Sequence, residues 1–165
     1  MKKKSRSDKK SPRPVLSDPR EPIRFLLNFE PDVPTLTHQT GIKPFVRKNG
    51  KPGIRKTPEL ESLEQLFEAK LAQFAPPAPW DCPIKFCASW TFLRPQSARS
   101  HWKTTKPDTD NLQKLLKDAM TRCGFWKDDA LVCLEVIEKI YHEADEKHGV
   151  AISITNLNHF PATES

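Results

Sequence analysis

Alternation of apolar and polar side chains constrains the fold of this chain more than any other feature. Residues 23–29, 84–93 and 150–154 place apolar side chains at every second position, and residues 131–141 are rich in β-forming residues. Successive side chains of a β-strand point to opposite faces, so this pattern predicts strands with one buried face. We expect the last two strands to pair as a hairpin whose tip is the acidic segment 145–146.

Two further stretches carry apolar residues at helical spacing. The first begins after Thr57, a capping residue followed by a proline suited to a first turn, and it ends before the proline pair at 76–77. The second runs from about Thr109 to Arg122, and Gly124 is placed to end it. Strands and helices together predict an α+β fold, with a small mixed β-sheet of about four strands and two main helices.

The net charge of +6 originates at the N-terminal end of the sequence. Residues 1–20 hold eight basic side chains, two acidic ones and three prolines, whereas the remainder has 19 of each sign. Such a segment has too few apolar residues to build a core, so we predict a disordered basic arm at 1–20 and one folded domain at 21–160. The arm either grips DNA without sequence preference or only aids solubility.

Positive side chains of the domain gather in two segments without an acid, residues 43–56 and 94–106. Clustered Lys and Arg displace counterions from phosphates, so this segregation favours a nucleic acid partner over two merely solvated loops. The Asn-Gly pair at 49–50 suits the turn of a small basic hairpin, while Phe45 and Trp102 either stack on bases or only cap the core. The candidate DNA-binding residues are Lys43, Arg47, Lys48, Lys51, Arg55, Lys56, Arg99, Lys103 and Lys106.

Several classes of protein are disfavoured by what the sequence lacks. No run approaches the roughly 18 apolar residues of a membrane span, and no signal-peptide core is present, so we expect a soluble, cytoplasmic protein without a membrane partner. The four cysteines form no C-x-x-C pair, which disfavours a zinc site. No glycine-rich phosphate loop is present, so we expect no nucleotide cofactor.

Two aspartates at the start of the second predicted helix are the residues best suited to chemistry. Pro107 keeps the residue before it out of helical geometry, so Asp108 and Asp110 fall where an extended segment enters the helix. Carboxylates in that position are able to converge on one small volume, and Mg²⁺ prefers hard oxygen ligands. The alternative is that the aspartates only cap the helix.

A third carboxylate and a lysine extend this candidate site. Asp128 or Asp129 follows the same helix and reaches the first two aspartates if the next strand brings the chain back. Lys114 lies four residues after Asp110, on the same helical face. Near a metal-bound phosphate its ammonium would stabilise charge in the transition state, although an ordinary surface ion pair is the alternative.

The motif D-x-D-N-L-Q-K at 108–114 and the motif G-F-W-x-D-D-A at 124–130 closely resemble those of the RusA family of Holliday junction resolvases. The resemblance implies a RusA-like nuclease fold for the domain. It also implies that Asp108, Asp110 and Asp129 bind Mg²⁺, for which Mn²⁺ substitutes, and that Lys114 is required for catalysis. Asp128 is then a neighbour of the site.

The same resemblance implies a homodimer that acts on four-way junction DNA. Each subunit would nick one of two opposing strands, which resolves the Holliday junction symmetrically during DNA recombination and repair. Two alternatives stay open from the residues alone. One is a noncatalytic DNA-binding module, and the other is a metal nuclease of the same fold that acts on other branched or duplex DNA.

Overall fold

The computed structural model describes residues 21–30, 32–36, 40–142 and 148–159 of the chain. The arm predicted at 1–20 and the predicted end of the domain at 160 lie outside the described residues. The helices and strands are β1 (Ile23–Asn28), β2 (Ile42–Val46), β3 (Pro52–Lys56), α1 (Pro58–Leu71), β4 (Ile84–Leu93), α2 (Thr109–Arg122), β5 (Val132–His142) and β6 (Gly149–Asn156).

Four strands form one mixed sheet in the order β1-β6-β4-β5, which confirms the predicted α+β class. β6 pairs antiparallel with both β1 and β4, whereas β4 and β5 are parallel. The predicted hairpin between β5 and β6 is therefore wrong, because β4 lies between them. Parallel neighbours need a crossover connection, and α2 is the helix of the crossover from β4 to β5.

The core lies between one face of this sheet and the two helices. Every second residue of β4 is buried, from Ile84 to Phe92, as its alternation predicts. Leu112, Leu115, Leu116, Ala119 and Met120 of α2 are buried in the same cluster, so the predicted helical stripe is confirmed. Burial of this stripe fixes which face of α2 turns away from the core, and that face carries the candidate site.

The strands β2 and β3 form a separate two-stranded antiparallel ribbon. Its turn contains the Asn-Gly pair as predicted, with Gly50 at a φ of 77° and a hydrogen bond of 2.9 Å from the Arg47 amide to the Lys51 carbonyl. Most ribbon residues are exposed, including Val46 at 73% and Ile54 at 71%. The ribbon therefore contributes little to the core.

α1 begins as the sequence predicts. Thr57 is its N-cap and accepts a hydrogen bond of 3.3 Å from the Leu60 amide, and Pro58 occupies the first turn. Its last turn continues into the short 3-10 segment Ala72–Phe74 before the proline pair. Within the part of the chain that the structure describes, no helix has the length and apolar character needed to cross a membrane.

Candidate active site

Asp108 is the N-cap residue of α2. Its carbonyl oxygen accepts a hydrogen bond of 3.2 Å from the Leu112 amide, whereas its carboxylate makes no capping hydrogen bond. The preceding Lys106–Pro107 peptide is cis. Asp108 is exposed, so its carboxylate is not committed to holding the helix end and is available for a ligand.

Lys139 of β5 ties the segment before Asp108 to the sheet. Its ammonium donates hydrogen bonds to the carbonyl oxygens of Thr105, at 3.0 Å, and Pro107, at 2.7 Å. Burial, and then repulsion by Lys103, lowers the pKa of Lys139, while the charge of Asp108 acts in the opposite direction. Sequence reasoning missed Lys139, and the available signal was a lysine in an otherwise β-rich strand.

One face of α2 borders a cavity of about 310 Å³. Positions 110, 113, 114 and 117 follow the i, i+3, i+4, i+7 spacing that places side chains on one helical face. The cavity is lined by Asp110, Gln113, Lys114, Lys117, Asp118, Asp129 and Glu135. It therefore brings together three of the four residues assigned to catalysis from the sequence, Asp110, Lys114 and Asp129, and does not include Asp108.

The two aspartates that follow α2 have different surroundings. Asp128 accepts a hydrogen bond of 2.8 Å from the Ala130 amide and caps the 3-10 segment Asp129–Leu131. Asp129 instead lines the cavity on α2. Asp128 thus has a local structural role, whereas Asp129 faces the space that a ligand would enter.

Two carboxylates of the cavity lie on α2 itself, and they are well separated. Asp110 and Asp118 are eight residues apart, which corresponds to about 12 Å along the helix axis. Among the described residues, no group of three or more His, Cys, Asp or Glu side chains is arranged to hold a metal ion. An ion bound by all three candidate aspartates would have to draw them together.

The chemistry of this donor set nevertheless fits a hard divalent ion. Asp108, Asp110 and Asp129 are exposed and supply carboxylate oxygens, the ligands that Mg²⁺ prefers. Gln113 is only 2% exposed, and neither polar atom of its amide has a hydrogen-bond partner within the described ranges. A buried amide without a partner is costly, and a hydrated ion in the cavity would supply one.

Sequence reasoning missed the other residues of the cavity. Glu135 of β5 forms an ion pair with Lys117 across the cavity. Gln113 and Lys117 were predictable from the helical spacing relative to Asp110. Glu135 was not, because its presence depends on the place of β5 in the sheet, parallel to β4.

The predicted DNA-binding residues divide between the ribbon and the loop before α2. Lys56 is engaged with α1, since its ammonium lies 2.6 Å from a carboxylate oxygen of Glu64. Lys103 donates a hydrogen bond of 2.8 Å to Thr105 and lies 4.9 Å from the centre of the Phe92 ring. The other candidates are all exposed, namely Lys43, Arg47, Lys48, Lys51, Arg55, Arg99 and Lys106.

Comparison with known proteins gives a family for this fold and site. The family model described as "Endodeoxyribonuclease RusA" matches residues 36–155, well over half of the chain. The chain belongs to the RusA family. It is also 31% identical, over 142 residues, to the "Crossover junction endodeoxyribonuclease rusA" of Lactococcus phage r1t, and the match covers 82% of this chain and 100% of the relative.

Membership of the RusA family confirms the resemblance seen in the two motifs. The matched segment contains the ribbon, the loop before α2 and every residue that lines the cavity. It does not contain residues 1–20. β1 and the last residue of β6 also lie outside it, so the family match covers most of the described fold and not all of it.

Proposed function

We propose that this protein is a metal-dependent endodeoxyribonuclease that resolves Holliday junctions. The observation that carries the proposal is the RusA family match across the whole α2 cavity. The substrate is supported by the phage relative, whose name specifies crossover junctions. The chemistry is supported by Asp110, Lys114 and Asp129, which border one cavity next to an unpartnered buried amide.

Asp108, Asp110 and Asp129 are the residues that would hold Mg²⁺, with Mn²⁺ as a substitute. When bound, such an ion lowers the pKa of a water for in-line attack on phosphate and screens the negative charge that develops. Lys114 is exposed at the same cavity, where its ammonium would stabilise the charge of the phosphate that is cut. Lys139 keeps the segment that leads into Asp108 attached to the sheet.

The two basic regions supply the surface for DNA. The ribbon holds Lys43, Arg47, Lys48, Lys51, Arg55 and Lys56, and the loop before α2 holds Arg99, Lys103 and Lys106. Contacts of these side chains with phosphates give affinity that does not depend on base sequence. Recognition of a branch must then come from the arrangement of the contacts in space.

A homodimer is the assembly that fits a symmetric substrate. A two-fold axis shared by dimer and four-way junction would place one α2 cavity on each of two opposing strands. Two symmetric nicks then separate the junction into two duplexes, as DNA recombination and repair require. The ends expected are 5′-phosphate and 3′-hydroxyl.

The test is cleavage of a synthetic four-way junction with Mg²⁺ or Mn²⁺ by wild type, Asp110→Asn and the matched control Asp128→Asn. We expect the wild type and the control to cut, because asparagine also caps a 3-10 segment, and Asp110→Asn to lose cleavage. Asp110→Asn should still bind the junction, since it removes a negative charge close to phosphate. Equal cleavage by all three proteins would contradict the site.

Two outcomes would instead support the other functions. Salt-sensitive DNA binding without any metal-dependent nicking would indicate a noncatalytic binding module. Equal cutting of the junction and of a linear duplex of the same length, in direct competition, would indicate a nuclease of this fold with a broader substrate.

A further inference from the structure

A second cavity lies at the ends of β4 and β5. Its volume is about 650 Å³, and its walls include Arg94, Arg99, Trp102, Lys103, Thr105 and Tyr141. Nothing in the metal chemistry of the α2 cavity uses this space. Its size and its mixture of aromatic and cationic walls are suited to a nucleotide.

Trp102 is the exposed aromatic residue of this cavity. Its side chain is 55% exposed, whereas Trp80, Trp90 and Trp126 are at most 5% exposed. The backbone that carries it is fixed, since the Tyr141 amide donates to the His101 carbonyl at 2.8 Å and the Lys103 amide donates to the Lys139 carbonyl at 3.0 Å. The ring is thus held open to solvent by a rigid support, as a stacking platform requires.

The charge of the cavity favours an anion. Among the residues that the structure describes, three basic side chains line it, those of Arg94, Arg99 and Lys103, together with one acidic side chain, that of Asp32. One carboxylate oxygen of Asp32 accepts hydrogen bonds from the backbone amides of Val33, at 2.7 Å, and Leu93, at 3.4 Å. Most of the charge that faces the cavity is therefore positive.

The wall of the cavity is also close to one candidate metal ligand, Asp108. Thr105 is part of its wall, and Asp108 follows three residues later, so their Cα atoms are at most about 11 Å apart. Lys139 binds the carbonyl oxygens of both Thr105 and Pro107 and holds this short segment in place. A DNA strand cut at α2 would pass the cavity within a few nucleotides of the cut.

We propose that this cavity takes one unstacked nucleotide of the strand that is cut, with its base on Trp102 and its phosphate against Arg99 and Lys103. The proposal rests on the proposed function, because a branch point supplies nucleotides that have lost a stacking neighbour. A continuous duplex supplies none without the cost of unstacking. The cavity would thus help to select branched DNA over duplex.

The first test uses the tryptophans of the chain as the probe. Acrylamide should quench Trp102 fluorescence in the free protein and leave the three buried tryptophans largely unaffected. A synthetic four-way junction added in EDTA, which prevents metal-dependent cutting, should protect Trp102, and an equal-length duplex should protect it less. Trp102→Phe serves as the control, because it should remove the quenchable signal. Equal protection by junction and duplex would overturn the proposal.

The second test combines Trp102→Ala with junctions that lack one base near the cut. Loss of stacking should weaken junction binding by about 5- to 100-fold. At one position of the junction, removal of the base should weaken binding by the wild type by a similar factor and should not weaken binding by Trp102→Ala any further. Binding by Trp102→Phe should again depend on that base. If the missing base and Trp102→Ala weaken binding independently of each other at every position tested, the proposed stacking contact is overturned. Wild-type protein that never cuts the junction would instead count against the proposed function.

A different observation carries a second inference, at the α2 cavity itself. Gln113 lines that cavity and is buried, yet both polar atoms of its amide lack partners among the described residues. Helical spacing places it between Asp110 and Lys114. We propose that Gln113 is a catalytic residue whose Nε2 donates a hydrogen bond to an oxygen of the phosphate that is cut.

The test separates this role from a structural one, and it also rests on the proposed function. Gln113→Met removes an unpaired buried amide, so the melting temperature should stay the same or rise, while kcat for the junction should fall about tenfold or more. The kcat of Gln113→Glu should fall further, because this substitution adds a negative charge that faces the phosphate. The exposed Gln65→Met on α1 is the matched control and should change neither quantity.

Two outcomes would overturn the role of Gln113. One is wild-type kcat in Gln113→Met, which would mean that the amide does not contact the substrate. The other is a loss of kcat that is accompanied, in both Gln113 variants, by a comparable loss of stability. That result would indicate that Gln113 only packs in the core. If Gln113→Met does not fold, Gln113→Leu, which also removes the amide, takes its place in both measurements.

Discussion

The ribbon formed by β2 and β3 and the loop at 94–106 are both basic, but they are attached to the protein in different ways. The strands of the ribbon pair only with each other and expose most of their side chains, and the ion pair between Lys56 and Glu64 joins the base of the ribbon to α1. The loop is tied to β5 by backbone hydrogen bonds at His101 and Lys103 and by the two bonds from Lys139. Positive charge thus lies on a mostly exposed ribbon in one region, and in the other on a loop that the sheet holds and that leads into Asp108.

This difference indicates a division of roles. A ribbon outside the core is suited to phosphate contacts that raise affinity and tolerate different positions of the DNA. A loop held by the sheet is suited to placing Asp108 and one nucleotide accurately. Variants of the ribbon should therefore change binding, and variants of the loop support should change the rate of cutting.

The largest effect expected from this comparison is at Lys139. Lys139→Met removes both bonds to the loop carbonyls, so kcat for the junction should fall about 100-fold, because small displacements of catalytic groups cost that much. The KM for the junction should change far less. Lys139→Arg should recover part of the rate, and Lys127→Met, which breaks an exposed ion pair with Asp81, should behave as wild type. A fall in affinity with unchanged kcat would contradict the division of roles.

The next effect concerns the ribbon. The triple variant Lys43→Ala, Arg47→Ala, Arg55→Ala should weaken junction binding about tenfold at moderate salt. It should also reduce the slope of log K against log salt by about 0.9 for each phosphate that the variant no longer neutralises. The rate at saturating junction should stay near the wild-type value. The control is the double variant Lys70→Ala, Lys127→Ala, which removes two positive charges outside the ribbon. It should leave this slope unchanged.

Metal binding gives a smaller effect, measured as a melting temperature. Because Asp110 and Asp129 line one cavity without forming a closed ligand cluster, an ion that joins them should stabilise the folded state. At a hundredfold excess over Kd the gain is about 2.7 kcal/mol, which is a rise of several degrees. Asp110→Asn should abolish the Mn²⁺-dependent rise, and Asp128→Asn should retain it. An Mn²⁺-dependent rise in melting temperature of the same size in Asp110→Asn would show that the ion binds elsewhere.

Local periodicity was enough to predict much of the fold. The ends of α2 at Thr109 and Arg122 follow from the apolar stripe, Pro107 and Gly124, and the turn of the ribbon follows from its Asn-Gly pair. The order of the strands did not follow in the same way. Proximity in sequence favoured a hairpin of β5 with β6, whereas β4 inserts between them and buries alternate residues along its length.

The candidate site was predictable only where its residues lie on one helix. Asp110 and Lys114 follow from the spacing along α2, and the distinction between Asp128 and Asp129 came only from resemblance. Lys139 and Glu135 reach the site through the parallel pairing of β4 with β5, which no local pattern encodes. Trp102 was recognised as a candidate, but the cavity beside it depends on the way β5 fixes its loop.

The smallest effect comes from two glycines with similar backbones in the two kinds of region. Gly50 in the ribbon has a φ of 77° and Gly124 after α2 has a φ of 79°. An added Cβ has nothing within 4 Å at Gly50 and only Pro79 Cγ at 3.6 Å at Gly124, so alanine at either position costs mainly the left-handed backbone, about 1–2 kcal/mol.

The two substitutions should nevertheless have different consequences. Gly124→Ala should lower the melting temperature by a few degrees, because α2 packs its apolar stripe into the core and unfolds with it. Gly50→Ala should leave the melting temperature within about one degree and weaken junction binding only a few-fold, because the ribbon is able to lose order without exposing the core. Thermal unfolding of both variants, with junction binding of each, checks this. An equal loss of stability would show that the ribbon folds as one unit with the sheet, and the division of roles would then fail.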